Sequence, residues 1–408
     1  MARQIAQYIT YQHNVQQYFR DHSEKYSGVI IPLSIATSFP TGTYGFVRAL
    51  CSRHNGKKYA IDPRTPLFQR SWDRQNVRPP HMKMAMVLGE PFISKGLAGR
   101  LRPSDFPPEV VNAVTDNCLA FQMQFKARSE DVRKLQKYKR LLGLSTLSEL
   151  GDPQFLIPPY FLFEQYGDSW HQVNTACLKA SVSKKLSVPL CPVIHFPRWL
   201  DPTDWSRIVR DTAELGLSGL WMYPDDFREH EALVSCLIAY RKAVSQTNQA
   251  GLAGYTLFGG YYAILMHYFG LRGYSNGIGY GDWRDSGYHR GGTAVHRIYV
   301  PKLHRYLDPP TAQHIIEEDP EYFAADSELL SECVGVGRNL AELSLAECLD
   351  HFMECRLAEM MFVNTNPLAS AVAELKETVQ HLEAIGPLEV QQYGSSLGRW
   401  AEVLGADL

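Results

Sequence analysis

The chain has 408 residues, of which 45% are hydrophobic and 21% are charged, and its formal net charge is -2 at pH 7. This composition is typical of a globular protein with a large core, and it excludes an intrinsically disordered chain. The near-neutral charge argues against a protein whose whole surface binds nucleic acid or an anionic membrane.

Apolar, β-branched segments bounded by Gly, Pro and Asp alternate along the chain with amphipathic helical segments. This alternation is the pattern of a parallel sheet covered by helices. Eight strands are predicted, at Gly28–Ser34, Lys58–Asp62, Gln154–Phe161, Pro189–Phe196, Leu217–Tyr223, Ala253–Gly259, Gly273–Gly281 and Ala294–Val300. We therefore expect an α/β fold of the (β/α)8 TIM-barrel type.

Two segments extend the predicted barrel, which is expected to cover residues 1–310. An insertion of about residues 75–150 follows the second predicted strand and contains a helical region at Pro107–Leu142. Residues 311–408 are expected to form a helical C-terminal region that packs on the barrel. Its predicted helices, Leu340–Phe362 and Asn366–Leu382, would either close the floor of the barrel or mediate assembly into an oligomer or complex.

Residues that directly follow barrel strands face one shared cavity, so these positions are the candidate site. Asp62 ends the second predicted strand. It is either a general base or nucleophile, or a turn cap whose ion-pair partner is Arg64. His195 ends the fourth predicted strand and suits proton transfer because its unperturbed pKa is near neutrality, although a buried core histidine gives the same pattern. Arg198 follows it, with a side chain able to clamp a carboxylate or phosphate.

Polar or small residues also follow the fifth and sixth predicted strands. Of the adjacent Asp225 and Asp226, we expect Asp225 to face the cavity and Asp226 to cap the next helix. Gly259 and Gly260 open a helix, where glycines permit close approach of a ligand or a neighbouring backbone. Free amides at a helix start also favour an anion, but close packing alone explains a Gly-Gly pair equally well.

The seventh predicted strand runs into a segment, Gly277–Asp285, that carries glycines at alternate positions. A face without side chains is one that a planar ligand or another strand approaches closely. Asp282 and Arg284 are expected at the end of this strand, on one side, and the aromatic ring of Tyr280 is a candidate for stacking on a substrate. The segment therefore predicts a carboxylate, a cation and an aromatic ring at the mouth of the barrel.

Two basic segments are candidates for binding anions. The Gly-rich loop Gly287–Thr293 contains His289 and Arg290 and follows the seventh predicted strand, where many barrels hold a phosphate; the alternative is a flexible, solvent-exposed loop. The helical segment Lys126–Arg140 is a candidate contact for nucleic acid, although basic helix faces are usually just solvated.

The eight cysteines and the motifs that are missing narrow the chemistry. No cysteine pair has the spacing of a zinc knuckle, and the cysteines are scattered through apolar segments. Met1–Arg20 is polar and has no signal-peptide core, and no apolar run is long enough to span a bilayer. We expect a cytoplasmic protein with reduced cysteines, no membrane contact and no metal. No nucleotide-binding, zinc-protease or serine-hydrolase motif occurs, so no cofactor is expected.

The segment Ile61–Gln69 resembles the strand-end aspartate segment of the tRNA-guanine transglycosylase family, and Asp282 falls where those enzymes keep a second aspartate. The resemblance implies a barrel and transferase chemistry at a nucleoside bond, as in nucleic acid modification. This sequence departs from the family at Pro63 and Thr65, which replace glycines, and it lacks the family's zinc cysteines. The resemblance covers only these short segments of the chain.

Three functions remain open from the sequence. The first is an enzyme whose strand-end carboxylates, Asp62 with Asp282 or Asp225, act on a glycosidic or nucleoside-type bond. Arg198 and Arg284 would then hold an anionic part of the substrate. The second is a non-catalytic barrel that serves as a subunit or adaptor in an assembly. The third is a phosphate-binding lyase or isomerase that uses His195 as its acid or base.

Overall fold

The computed structural model describes residues 4–12, 16–53, 57–70, 79–127, 132–141, 143–278, 281–286 and 296–406. The strands within these residues are β1 (Ala6–Thr10), β2 (Gly28–Pro32), β3 (Lys58–Asp62), β4 (Val193–Phe196), β5 (Gly219–Pro224), β6 (Ala253–Thr256), β7 (Leu271–Asn276), β8 (Ile298–Val300) and β9 (Arg305–Leu307). The α-helices are α1 (Gln16–Asp21), α2 (Leu33–Ser38), α3 (Pro40–Arg53), α4 (Pro79–Leu88), α5 (Pro108–Gln124), α6 (Val132–Leu141), α7 (Ser169–Ser183), α8 (Pro202–Glu214), α9 (Val234–Gln249), α10 (Tyr261–Leu265), α11 (Pro309–Glu318), α12 (Pro320–Phe323), α13 (Glu328–Val336), α14 (Leu345–Thr365), α15 (Leu368–Ile385), α16 (Leu388–Gln391) and α17 (Gly394–Gly405).

Seven strands form one parallel sheet in the order β3-β2-β1-β7-β6-β5-β4. Helices lie between successive strands of the chain, which confirms the predicted α/β class with a parallel sheet. Because all seven strands run in one direction, their carboxyl ends meet at the same edge of the sheet. Side chains that follow these strands are therefore brought together at that edge.

Aromatic packing shows that the sheet is strongly curved. Tyr8 of β1 and Trp221 of β5 are three strand positions apart, which is roughly 14 Å in a flat sheet. Their ring centroids are nevertheless only 5.3 Å apart, and Trp221 also stacks on Tyr255 of β6 at 5.0 Å. Phe155 packs against the same tryptophan at 5.8 Å. These rings fill the concave side of the sheet and leave polar side chains to its carboxyl edge.

Residues 154–157 lie between the two edge strands of the sheet. The amide of Gln154 donates to the carbonyl of Tyr59 in β3 at 2.8 Å. Leu156 forms a parallel bridge with Leu190, shortly before β4. This short segment therefore contacts both β3 and the chain that leads into β4.

The structure shortens one predicted strand and adds one that was not predicted. The predicted strand Gln154–Phe161 is reduced to the bridge at Leu156, because Pro158 and Pro159 have no N–H with which to extend a ladder. The first strand of the sheet, β1, is missing from the prediction, since its five residues are flanked by polar segments. The long insertion consequently follows the third strand of the chain rather than the second.

The last two predicted strands are wrong in extent or partner. The strand predicted at Gly273–Gly281 ends at Asn276, so Gly277 and Gly281 are not in a strand. Within the strand predicted at Ala294–Val300, β8 pairs antiparallel with β9 in a separate two-stranded sheet. The physical reason is that β1 already occupies the edge of β7 where an eighth strand would pair.

Helix α14 of the C-terminal region runs alongside the sheet, antiparallel to the strands. Near its middle, Arg356 bonds Asp282, which follows the carboxyl end of β7. Near its end, the side chain of Asn364 accepts a hydrogen bond from the amide of Ile5, just before β1 begins, at 3.0 Å. The C-terminal helices thus contribute side chains to the carboxyl edge of the sheet, where the sequence led us to expect them only at the floor or in assembly.

All eight cysteines are free thiols, and six of them are buried. Burial raises the pKa of Cys118 and that of Cys177 to about 12 each, so these thiols are protonated and unreactive at neutral pH. In the part of the chain that the structure describes, no helix combines the length and the apolar character needed to cross a bilayer.

The close packing of β7 against β1 predicts a cost for any side chain at Gly273. A Cβ there would lie 2.5 Å from the carbonyl oxygen of Ala6. We expect Gly273→Ala to lower the free energy of unfolding by about 1–3 kcal/mol, measured by urea denaturation with circular dichroism. Gly335→Ala in α13 is the matched control, because its Cβ would meet no atom within 4 Å and alanine favours a helix. Equal stability of the two variants would contradict the packing described for β7.

Candidate functional site

A small cavity, named here the mouth cavity, opens at the carboxyl ends of β3 and β5. Its volume is about 20 Å³, which is room for one water-sized group. The residues that line it come from distant parts of the chain: Asp62, Arg64, Pro66, Leu67, Tyr160, Tyr223, Phe258, Arg284 and Ser286.

Asp62 ends β3 and is enclosed in the wall of the mouth cavity, with 1% of its surface exposed. One carboxylate oxygen accepts hydrogen bonds from the Tyr160 hydroxyl at 2.8 Å and from the Arg64 amide at 3.0 Å. The other accepts from Nε of Arg64 at 3.2 Å. These bonds hold Arg64 in the left-handed backbone region, with φ 48°, which is uncommon for a residue with a side chain. Asp62 therefore orients Arg64 and Tyr160, and both of its oxygens are occupied.

Arg64 and Arg284 both line the cavity beside the Phe258 ring. Their guanidinium carbons lie 5.8 Å and 5.7 Å from the ring centroid. The charge of Arg64, followed by burial, lowers the pKa of Arg284 to about 10. The two cations therefore repel each other in a site where Asp62 is the single carboxylate in the lining.

Asp225 follows β5 and points to the same edge. Its Oδ1 accepts hydrogen bonds from Nε2 of His195 at 3.0 Å and from the Ser286 amide at 2.6 Å. Burial alone would raise the pKa of Asp225, but the bonds from His195 and Ser286 lower it. Its Oδ2 lies 3.9 Å from Nη2 of Arg70, and that nitrogen lies 3.7 Å from Asp285. Asp225 is therefore an ionised carboxylate with one oxygen fixed, and it shares Arg70 with a second carboxylate.

His195 is completely buried at the end of β4. Its ring stacks on Tyr223 at 4.0 Å between centroids, with 10° between the ring planes. Burial lowers the pKa of His195 more than Asp225 raises it, so a neutral ring donates its Nε2 proton to the aspartate. A ring without solvent access does not reach a substrate as acid or base, which removes the direct basis for the lyase or isomerase hypothesis. His195 positions Asp225 instead.

Asp282 belongs to a second, separate cluster. The buried Arg356 of α14 donates to Asp282 at 2.9 Å and to Glu359 at 2.7 Å. Glu359 also accepts from the Tyr299 hydroxyl at 2.6 Å and bonds Nδ1 of His304 at 2.7 Å. Asp282 is thus committed to an ion-pair network, and the expected pairing of Asp62 with Asp282 in one site is wrong. Among the described residues, no three His, Cys, Asp or Glu side chains are grouped to hold a metal ion.

Gly259 and Gly260 provide packing space for the protein itself, which corrects their expected role in substrate binding. A Cβ on Gly259 would lie 2.4 Å from Ala263, and one on Gly260 would lie 2.6 Å from Glu229. The carboxylate of Glu229 accepts hydrogen bonds from the amides of Gly260, Tyr262 and Ala263 at 2.8–3.1 Å. Burial, and then Asp282, raise the pKa of Glu229 to about 7 against these bonds. The anion at this helix start is therefore Glu229.

The remaining candidates lie at the rim or outside the described residues. Arg198 is largely exposed and pairs with Asp226, so it does not enter the cavity. Asp226 also pairs with Arg228 at 3.1 Å, and α9 begins only at residue 234, so Asp226 does not cap that helix. Three predicted substrate-binding residues lie outside the described residues: Tyr280, His289 and Arg290.

Some residues of the basic segment Lys126–Arg140 form contacts within the protein. Lys126 pairs with Asp152 at 2.6 Å, and Tyr138 of α6 is buried against Phe46 of α3. Lys137 and Arg140 remain exposed. A nucleic acid contact through this face stays a prediction.

Several residues around Asp225, around the mouth cavity and in the cluster of Arg356 with Asp282 and Glu359 were not identified from the sequence. Tyr160 follows a Pro-Pro pair and shows no periodic signal, and Arg70 and Asp285 lie in loops. Arg356 had a recognisable signal, since it stands three residues before Glu359 on a helix rich in Met, Phe and Leu. A charged pair on an apolar helix face indicates a buried ion pair or a site.

No protein-family model and no curated protein matches the chain, so the resemblance to the transglycosylase family stays a prediction. One similar solved structure is that of the intracellular xylanase TsXylA from Thermoanaerobacterium saccharolyticum, a mutant in complex with xylotetraose. The two chains share 8% identity with a TM-score of 0.35, and the match covers 71% of this chain and 90% of the xylanase chain. A similarity of this size does not extend to the reaction.

The buried position of Arg356 predicts a large loss of stability when its charge is removed. We expect Arg356→Met to lower the free energy of unfolding by about 3–5 kcal/mol, because the buried Glu359 and the partly buried Asp282 then lose their cation. Thermal unfolding followed by calorimetry measures the loss. Arg207→Met is the control, since Arg207 is half exposed and its contact with Asp204 is 3.7 Å long. Similar unfolding temperatures for both variants would show that Arg356 does not balance the buried carboxylates.

Proposed function

We propose that this protein is an enzyme that cleaves or transfers a glycosidic or nucleoside-type bond, with Asp225 as its principal carboxylate. The observation that carries the proposal is the state of Asp225 at the carboxyl edge of the sheet. One oxygen is fixed by His195 and Ser286, while the other faces the rim beside Arg70. Its side chain is 13% exposed, in contrast to the enclosed Asp62. A held, ionised and partly accessible carboxylate suits a nucleophile or a general base.

A second carboxylate is available beside the first. Asp225 and Asp285 both lie within 4 Å of the same nitrogen of Arg70. Most enzymes that cleave a glycosidic bond use two carboxyl groups that lie close together. One attacks the sugar or activates water, and the other transfers a proton. Asp285 takes the second role in this proposal, in place of the Asp282 expected from the sequence.

The other residues of the mouth cavity have supporting roles. A carboxylate stabilises the positive charge that develops on the sugar carbon as the bond to the leaving group breaks. The ring of Tyr223 stacks on His195 and so helps to hold that histidine against Asp225. Asp62 orients Arg64 without contacting the reacting atoms.

We also propose that the curved sheet closes into an eight-stranded barrel through residues 154–157. The bonds of this segment to β3 and to the chain before β4 support the closure, and so does the contact between Tyr8 and Trp221 across the concave side. In a closed barrel the carboxyl ends of all strands surround one site. That arrangement places Asp225 on the rim of the site and the C-terminal helix α14 on the outer wall.

The proposed role of Asp225 is tested by its amide variant. We expect Asp225→Asn to reduce turnover of a nucleoside, a nucleotide or an aryl glycoside by about 10²–10⁴-fold, since the amide neither attacks nor accepts a proton. Asp226→Asn is the matched control, because Asp226 pairs with Arg198 and Arg228 on the surface and asparagine tolerates its left-handed backbone. If no such substrate is turned over, or Asp225→Asn keeps full activity, the non-catalytic barrel becomes the better hypothesis.

The positioning role of His195 is tested by the pH profile. His195→Phe keeps a ring against Tyr223 but removes the hydrogen bond that lowers the pKa of Asp225. The base form of Asp225 is then lost at a higher pH, so the acid limb of kcat/KM should shift upward in the variant. Wild-type protein provides the reference profile. An unchanged acid limb would show that His195 does not tune this carboxylate.

A further inference from the structure

The mouth cavity has an excess of positive charge. Two guanidinium groups and one carboxylate line it, and that carboxylate, Asp62, is bonded to Arg64 and Tyr160. Within the described residues, no hydrogen bond or ion pair is formed by the guanidinium of Arg284. Like charges held this close are unfavourable unless something of opposite sign lies between them.

Arg64, which lines this cavity, has an unsatisfied donor. Its side chain is 10% exposed, and its Nε is bonded to Asp62. Its Nη2 is buried and has no hydrogen-bond partner among the described residues. A buried donor on a charged group that lacks an acceptor is costly. The guanidinium is therefore held in position with one donor left for a ligand.

The size of the cavity limits which chemical group can bind there. A volume of about 20 Å³ does not admit a sugar or a base, but it admits the oxygen end of a carboxylate or phosphate. Guanidinium groups bind these oxyanions through parallel hydrogen bonds of matched geometry. The Ser286 side chain lines the same cavity, and its backbone amide bonds Asp225 at 2.6 Å. A group bound there lies next to the carboxylate proposed to act on the substrate.

We propose that Arg64 and Arg284 together bind an oxyanion of the substrate, so that the substrate is an anionic glycoside or nucleotide rather than a neutral one. The identification of the bound group as part of a substrate rests on the proposed function. The anion site itself does not depend on the reaction. Asp62 serves the site by fixing Arg64, and the Phe258 ring lies against both guanidinium groups. The specificity of the enzyme is then set by the position of this oxyanion relative to the bond at Asp225.

Binding of simple anions tests the site without any knowledge of the substrate. Isothermal titration of the full chain with inorganic phosphate, and separately with benzoate, is carried out at constant ionic strength in chloride buffer. We expect saturable binding of at least one anion, and the tighter one identifies the group as phosphate or carboxylate. Arg284→Gln should raise Kd at least about tenfold, as expected for the loss of hydrogen bonds to a charged group. Arg210→Gln, an exposed substitution on α8, should leave Kd unchanged.

The variants also report on folding. Without anion, Arg284→Gln should unfold at the same temperature as wild type or higher, because the repulsion from Arg64 is removed. Arg284→Lys keeps the positive charge but loses the two parallel N–H donors of the guanidinium group. This variant should bind the anion more weakly than wild type and more tightly than Arg284→Gln. The absence of binding by either anion, or equal Kd values for wild type and both Arg284 variants, would overturn the inference.

The anion site and the proposed reaction fail in distinguishable ways. Asp225→Asn should still bind the anion, because Asp225 is not in the cavity lining. Arg284-dependent anion binding without any turnover supports the site and refutes the reaction. Asp225-dependent turnover without anion binding refutes the site and leaves the reaction in place.

Discussion

Arg356 shows the constraint on which the carboxyl edge of this protein depends, namely that a buried charge must be balanced by bonded partners. A guanidinium removed from water is tolerated only when carboxylates compensate it, and here Asp282 and Glu359 do so. The same requirement explains why Glu229 is bonded by three backbone amides. These groups tie helix α14, the loop after β7 and the start of α10 into one network, which gives the edge its shape.

Judged by the same requirement, the two clusters have different characters. In the Arg356 cluster, Asp282 and Glu359 each pair with the guanidinium of Arg356, although Oδ1 of Asp282 and Nε of Arg356 have no hydrogen-bond partner among the described residues. In the mouth cavity, two guanidinium groups face the single carboxylate of Asp62, which is bonded to Arg64, and Nη2 of Arg64 has no partner in the described part of the chain. Proteins retain such imbalance at positions where a ligand completes it. The mouth cavity, where two cations face one carboxylate, is therefore the better candidate for function.

The proposed chemistry depends on the common direction of the parallel strands as much as on the side chains that follow them. Parallel strands deliver His195 and Asp225 from neighbouring strands to one edge, where the ring fixes the carboxylate. The aromatic rings of Tyr8 and Trp221 fill the concave side below them. A ligand is thereby excluded from the interior of the curved sheet.

The sequence by itself determined the α/β class and the position of Asp62 and Asp225 at strand ends, because both follow from local apolar runs and the residues that end them. It did not determine the partners of Asp282, the occupation of the α10 amides by Glu229, or the pairing of β7 with β1. Those contacts join residues up to hundreds of positions apart, and no local pattern encodes them. Only the tertiary structure decided which carboxylates pair with buried cations and which can contact a ligand. The physical reason is that these pairs form between residues that are distant in the sequence and become neighbours only when the chain folds.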